Sequence, residues 1–333
     1  MDIPTGFFPD AARARRIDQR MRAGLSESIE YLSSCIREQW GESIDGLDRL
    51  VACMRNGGAY PPSTFGLYYE ATSALMGGDE PAARQCFAQL LQERRISPEG
   101  VRVLTLDQIV PAANRARYQR LMDTDPNTRF TIVPPPPEEA DAAVRRVHSG
   151  LQRLRRAIPE LAGEFDALIR ELILVAGGEG LGYDFAGGSS YMLWGALFLN
   201  AGQHTNDVGV IEALAHESGH SLLFGFTYDH PLVMNDDEEL FASPLRDDAR
   251  PMDGIYHATY VSARMHWAMA ALMASGTLDR AQAELAAARR EADRASFWTG
   301  HATVRSHARL SEIGRVLMDG AHGYMKQFEP AAA

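Results

Sequence analysis

Cysteine is scarce in this chain of 333 residues, which contains only Cys35, Cys53 and Cys86. None of the three stands in a CxxC or other metal-ligand spacing, so no cysteine-based metal site is expected. A reducing compartment fits this usage best, because structural disulfides belong to oxidising compartments.

Long apolar runs and an excess of basic residues are also absent. No run approaches the roughly 18 apolar residues of a membrane span, and the N-terminal segment becomes charged before it could form a signal peptide. The formal net charge of -11 argues against a broad basic face for nucleic acid or anionic lipid. We therefore expect a cytoplasmic protein with no nucleic-acid and no membrane partner.

The chain divides by pattern into a mostly helical N-terminal region at residues 1–133, a proline-rich linker at 134–140 and a metal-binding region at 141–333. The segments "VRVLTL" and "RFTIV" have the composition of short strands. In the third region, Leu161, Phe165, Leu168 and Leu172 repeat at helical spacing.

A strand is predicted over residues 191–200, long helices over 254–274 and 278–294, and a last helix ending near residue 325. The sequence thus predicts a mainly α (α+β) fold. A small β-sheet is expected to pack beside the helix that contains the segment "HESGH".

His216 and His220 lie four residues apart in "DVGVIEALAHESGHSLLFGF", whose apolar residues keep helical spacing. Both imidazoles therefore point to one side of a helix, where they can bind one divalent cation. Glu217 falls on an adjacent face and is the predicted catalytic residue, acting near the metal or on a bound water. The alternative is a chance coincidence on a buried helix.

One interpretation of the motif is a zinc peptidase, in which Glu217 deprotonates a zinc-bound water. Each class of zinc peptidase has its third metal ligand at a characteristic place, so the sequence can be searched for that ligand. The metzincin pattern is excluded, since Leu223 and Phe226 occupy the places of its glycine and histidine. A gluzincin needs a downstream glutamate on a second helix, and Glu239 follows His220 by 19 residues. Glu239 belongs to four consecutive acids, however, which is typical of a solvated loop.

His257 is the other candidate third ligand. It opens a predicted helix, and its neighbours at helical spacing direct the ring into protein. These neighbours are Tyr256, Tyr260, Val261 and Met265. A satisfied core histidine is the ordinary explanation for a single residue of this kind.

The segment from "HESGH" to "GIYHATYVSARM" resembles a family of HExxH-containing proteins encoded beside radical SAM enzymes and ribosomally made precursor peptides. Members look like 2-oxoglutarate-dependent peptide β-hydroxylases, with an S-P-x-R-x-D-x-R-P element and a G-x-x-H step after the HExxH helix. The resemblance covers about residues 180–270, and its matching positions are Ser243, Pro244, Arg246, Asp248, Arg250, Pro251, Gly254 and His257.

This resemblance implies Fe(II) bound by His216, His220 and His257, with 2-oxoglutarate as co-substrate and a precursor peptide as substrate. It also implies a radical SAM partner enzyme that acts on the same peptide. Ordinary iron oxygenases use two histidines and one carboxylate, so Glu239 or Glu217 remains an alternative third ligand.

Arg246 and Arg250 are the candidates to anchor the distal carboxylate of 2-oxoglutarate, since a guanidinium can meet a carboxylate with two hydrogen bonds. Arg264 is a weaker third choice. The alternative for the first two is pairing with neighbouring aspartates in a polar loop. Besides the oxygenase and the peptidase, a helical binding protein without catalysis remains a hypothesis.

Overall fold

The structure is a computed structural model that describes residues 3–122, 131–177, 185–245 and 248–329. Helices dominate this part of the chain, which confirms the predicted mainly α fold with a small sheet. The helices are α1 (Ala11–Trp40), α2 (Leu47–Arg55), α3 (Ser63–Met76), α4 (Glu80–Leu90), α5 (Ala112–Leu121), α6 (Pro137–Ala157), α7 (Pro159–Leu168), α8 (Asp207–Phe226), α9 (Met252–Ala274), α10 (Arg280–His307) and α11 (Glu312–Met325).

The strands are short. They are β1 (Arg102–Thr105), β2 (Ile132–Val133), β3 (Glu171–Gly177), β4 (Gly187–Ser189), β5 (Ala196–Asn200), β6 (Leu240–Phe241) and β7 (Arg250–Pro251). No helix in the described ranges combines the length and the hydropathy that a membrane-spanning segment requires.

Two compact units interleave along the chain. The first comprises residues 1–17, 145–167 and 204–333, and the second comprises residues 18–144 and 168–203. The last residue of the proline run, Pro137, is the first residue of α6. The predicted division of the sequence at residues 134–140 remains a prediction.

The second unit contains the main sheet, in the order β1-β3-β5-β4. β3 pairs in parallel with β1 and β5, β4 pairs antiparallel with β5, and β2 pairs antiparallel with β3. Ile173, Val175 and Phe198 are buried in its core, together with the ring of Tyr118 from α5. The two strands predicted from "VRVLTL" and "RFTIV" are confirmed as β1 and β2.

Two local predictions need correction. Leu172 was assigned to a helix, but it lies in β3, because α7 ends at Leu168 and an apolar run then extends as a central strand. The strand predicted over residues 191–200 is shorter. Residues Tyr191–Leu193 form a single 3-10 turn, capped by the Ser190 side chain, and β5 begins at Ala196. The sheet and the HExxH helix belong to different units, so their predicted packing remains a prediction.

The first unit is built around α8, α9 and α10, and α9 packs against both of the others. Side chains define where two of these helices begin. Asn206 accepts a hydrogen bond from the Gly209 amide at the start of α8, and Asp279 forms a capping box with Gln282 at the start of α10. The predicted helices over 254–274 and 278–294 are confirmed, although α10 continues to His307.

A buried charge network joins α7, α9 and the N-terminal segment within the first unit. Glu164 is fully buried and accepts hydrogen bonds from Arg13 at 2.8 Å and from Arg264. Arg264 also donates to the carbonyl of Phe7 at 2.7 Å, and Arg13 donates to the carbonyl of Gly6 at 2.6 Å. The carboxylate of Glu164 cannot accept a hydrogen bond from every N–H group of the two arginines. The carbonyls of Gly6 and Phe7 each accept one further hydrogen bond, so the N-terminal segment is part of the core of this unit.

We predict that Glu164→Gln destabilises the protein by about 3–5 kcal/mol, because removing one partner leaves two buried guanidinium groups without their counter-ion. Urea unfolding followed by circular dichroism measures this loss. The control is Glu284→Gln, which removes the exposed ion pair between Arg280 and Glu284 in the same unit. It should leave the midpoint almost unchanged, and equal losses in the two variants would contradict the assigned role of Glu164.

Candidate metal site

Helix α8 places the side chains of His216 and His220 one turn apart on the same face, as their spacing predicts. Apolar residues of α8 are buried on its other faces, among them Ile211, Leu214 and Leu222. The helix is therefore held firmly inside the unit, and the two imidazoles project from it in fixed directions.

Helix α9 brings His257 to the same place. A glycine allows the close approach of the two helices: a Cβ atom at Gly219 would lie 3.0 Å from Cγ1 of Val261, closer than almost all real contacts. His257 is 7% exposed, and the ring of Phe224 lies beside it with centroids 5.3 Å apart. The prediction that the ring of His257 points into protein is confirmed.

The three imidazoles form a chain of short contacts. Nε2 of His216 lies 3.0 Å from Nε2 of His220, and Nδ1 of His220 lies 3.1 Å from Nδ1 of His257. The other ring nitrogen of His216, Nδ1, lies 3.3 Å from the Sδ atom of Met265. His220 thus uses a different nitrogen for each of its two histidine neighbours.

The pair formed by His216 and His220 fits a divalent cation. Two imidazole nitrogens bound at about 2.1 Å and at a right angle would be separated by roughly 3.0 Å. The observed Nε2 separation of 3.0 Å matches this value. His257 instead contacts Nδ1 of His220, the ring nitrogen that points away from such an ion. Among the described residues, no group of three His, Cys, Asp or Glu side chains is arranged to hold one ion.

Burial keeps these imidazoles neutral. Although 26% of the His216 side chain is exposed, desolvation lowers its pKa to about 4, and a charge on His204 would lower it further. Desolvation also lowers the pKa of His220 well below its usual value, with added repulsion from His216 and His257. The pKa of His257 is lowered by burial as well. Neutral imidazole is the form that binds metals.

Sequence reasoning missed two residues near the pair. His204 lies in the turn before α8, close enough to His216 to influence its pKa electrostatically. Met265 was noted only as a neighbour of His257 in helical spacing, yet its sulfur contacts His216. A lone histidine in a turn and a methionine in an apolar helix carry no spacing signal of their own.

The two glutamates of the sequence hypotheses are placed differently. Glu217 is buried, and its Oε1 atom lies 3.9 Å from Nε2 of His216. Glu239 lies outside any helix, just before β6, and accepts hydrogen bonds from Asn235 at 3.1 Å and from Arg309 at 2.8 Å. The hydrogen bond from Arg309 is the main cause of a lowered pKa of the Glu239 carboxyl.

The three arginines predicted as candidate anchors for 2-oxoglutarate differ in their structural environment. Arg246 lies outside the described residues. Arg250 lies in β7, and its Nε atom is 2.7 Å from Oδ2 of Asp248, as the alternative of a local ion pair expected. Its side chain is 17% exposed. Arg264 is fully buried on Glu164 and Phe7, so its guanidinium belongs to the core network.

No protein-family model matches the chain, and no curated protein sequence matches it.

We predict that the metal-free protein loses stability as the pH falls from about 6.5 toward 4. The unfolded chain binds protons at its histidines near pH 6.5, whereas the folded state holds the pKa of His216 at about 4, so protons favour unfolding in this window. Urea unfolding at a series of pH values measures the slope. His216→Asn should reduce it by up to about 1.4 kcal/mol per pH unit.

The control for this series is His148→Asn, since His148 is exposed on α6 of the same unit. The slope of His216→Asn is compared with the slope of this variant, which removes one histidine as well. An unaltered slope in His216→Asn would show that His216 binds protons equally in the two states and would contradict its desolvation.

Proposed function

We propose that this chain is an Fe(II)- and 2-oxoglutarate-dependent oxygenase that hydroxylates a side-chain β-carbon of a ribosomally synthesised precursor peptide. The observation that carries the proposal is the pair of neutral imidazoles, His216 and His220, with Nε2 atoms 3.0 Å apart. The resemblance of the HExxH segment and its downstream arginine-rich element to peptide β-hydroxylases supplies the choice of reaction.

His216 and His220 would hold the iron, and the resemblance offers His257 as a third ligand. Iron bound by imidazole and carboxylate ligands, with open coordination positions on the metal, is typical of non-haem iron oxygenases. Glu217 is buried beside the pair, where it would accept a hydrogen bond from a water or substrate group at the metal.

Iron held by His216 and His220, together with 2-oxoglutarate, would supply the oxidising power, with one oxygen atom of dioxygen going to succinate as carbon dioxide is lost and the other to the peptide carbon. The residues of this chain position the reactants and exclude water. Phe224 contributes to that exclusion, since its ring lies 6.4 Å from that of His220 and 5.3 Å from that of His257 between centroids.

Arg246 and Arg250 are proposed to bind the distal carboxylate of 2-oxoglutarate. Arg250 is partly exposed, and its Nε atom is oriented by Asp248. A planar guanidinium can meet a carboxylate with two hydrogen bonds, which suits it to this role. The short β6–β7 ribbon fixes Arg250 directly before α9, the helix that contains His257.

The alternative is a gluzincin-like zinc peptidase using His216, Glu217, His220 and Glu239. The position of Glu217 near the imidazole pair is compatible with it. Glu239 argues against it, because this residue lies outside any helix and both of its carboxylate oxygens are hydrogen-bonded to Asn235 and Arg309.

We predict that the purified protein with Fe(II), 2-oxoglutarate and dioxygen releases succinate when given short peptides encoded next to its gene. Mass spectrometry should show a gain of one oxygen atom on the peptide, at a carbon rather than at a cleaved bond. His216→Ala and His220→Ala should abolish both signals, since each removes a ligand of the iron.

The same assay separates the two enzymes. A peptidase would cleave peptide with zinc, lose activity in Glu217→Gln and lose its metal in Glu239→Ala. In the oxygenase, Glu239→Ala should leave the metal content unchanged, because Glu239 is bound to Asn235 and Arg309. Zinc-dependent cleavage without succinate would refute the proposed oxygenase.

A further inference from the structure

A continuous line of side-chain contacts runs from α9 through α8 and back to α9. It passes from Met265 Sδ to His216 Nδ1 at 3.3 Å, from His216 Nε2 to His220 Nε2 at 3.0 Å, and from His220 Nδ1 to His257 Nδ1 at 3.1 Å. At its end, Nε2 of His257 lies 3.9 Å from Oδ2 of Asp253. Both ring nitrogens of His216 and of His220, and Nδ1 of His257, therefore have a close partner.

Those partners fix where the protons lie. A neutral imidazole carries one N–H, and a thioether sulfur only accepts, so the proton of His216 belongs on Nδ1, facing Met265. Its Nε2 is then free of a proton, as metal binding requires. In the absence of an ion, Nε2 of His220 must carry the proton, because it donates to the unprotonated Nε2 of His216. Nδ1 of His220 then has no proton and accepts a hydrogen bond from Nδ1 of His257.

An ion between His216 and His220 would replace that proton. With such an ion, the proton of His220 would lie on Nδ1, donated to Nδ1 of His257, and the proton of His257 would lie on Nε2, on the side of Asp253. The number of protons and the net charge of the three rings do not change. Metal-bound imidazoles usually donate their second N–H in this way, which fixes their tautomer and orientation.

We infer that His257 is a positioning residue, which orients His220 through the contact between their Nδ1 atoms, and is not the third ligand of the ion. This inference rests on the proposed metal site and deepens it. The two nitrogens of one imidazole point in different directions, so the ring that meets Nδ1 of His220 lies on the far side from an ion on Nε2.

The surroundings hold this arrangement in place. The rings of His220 and His257 are nearly parallel, with an interplanar angle of 15° and centroids 5.3 Å apart, and Phe224 packs against both. Gly219 and Val261 keep the two helices at close distance beside them. With two imidazole ligands, the ion keeps one more open position than a three-histidine site would leave.

The test counts imidazoles directly in the full-length protein. In a one-to-one complex with Cu(II), pulsed electron paramagnetic resonance detects the remote nitrogen of each bound imidazole. We expect two bound imidazoles in the wild type and two in His257→Ala. Three in the wild type and two in the variant would overturn the inference, as would the failure of Cu(II) to form a one-to-one complex.

Affinity gives a second readout. His257→Ala should weaken Co(II) binding by about 10–100-fold, the usual effect of losing an outer partner, whereas His216→Ala or His220→Ala should abolish it. His257→Asn should restore most of the affinity, because its amide offers an acceptor near the former Nδ1 position. Complete loss in both His257 variants would overturn the inference.

The matched control is His266→Ala, a histidine of the same helix that is buried and hydrogen-bonded to Tyr324 at 2.8 Å. It should not change Co(II) affinity, and circular dichroism checks that every variant is folded. Two bound imidazoles without any succinate formation would refute the oxygenase while supporting the role of His257, so the two proposals fail separately.

Discussion

The close packing of α8 against α9 is the constraint on which the rest of the first unit depends. A Cβ atom at Gly219 would lie 3.0 Å from Cγ1 of Val261, and Arg264 follows Val261 in the next turn of α9. Arg264 is anchored on Glu164 of α7 and on the carbonyl of Phe7. The same buried ion network therefore ties α9, the helix that contains His257, to α7 and to the N-terminal segment.

Burial has opposite consequences for the two groups of ionisable residues in this unit. Arg13, Glu164 and Arg264 form a buried ion network, in which the carbonyls of Gly6 and Phe7 accept a further hydrogen bond from each arginine. Glu217 and Asp253 each lie 3.9 Å from a histidine ring nitrogen, and desolvation lowers the pKa of His216 and of His220. Neutral imidazoles are suited to a cation, which makes this part of the core different in chemistry from its surroundings.

Much of the helical architecture could be predicted from periodicity, because long amphipathic or alanine-rich segments with few breakers form helices almost regardless of context. Helices α9 and α10 are examples. Leu172 shows the limit: its apolar spacing continued that of α7, but only the pairing of β3 with β1 and β5 decides that it belongs to a strand. Likewise, the interleaving of two units depends on contacts between residues far apart in sequence, which no local pattern encodes.

At the candidate site, the sequence by itself determined that His216 and His220 share one face of a helix, since residues four apart in an α-helix always do. It also indicated that His257 faces protein. The tertiary structure alone decided that His257 meets Nδ1 of His220, that Met265 contacts His216 and that Arg264 is committed to Glu164. The physical reason is that these contacts depend on the distance and rotation between α8, α9 and α7, and helix packing sets both.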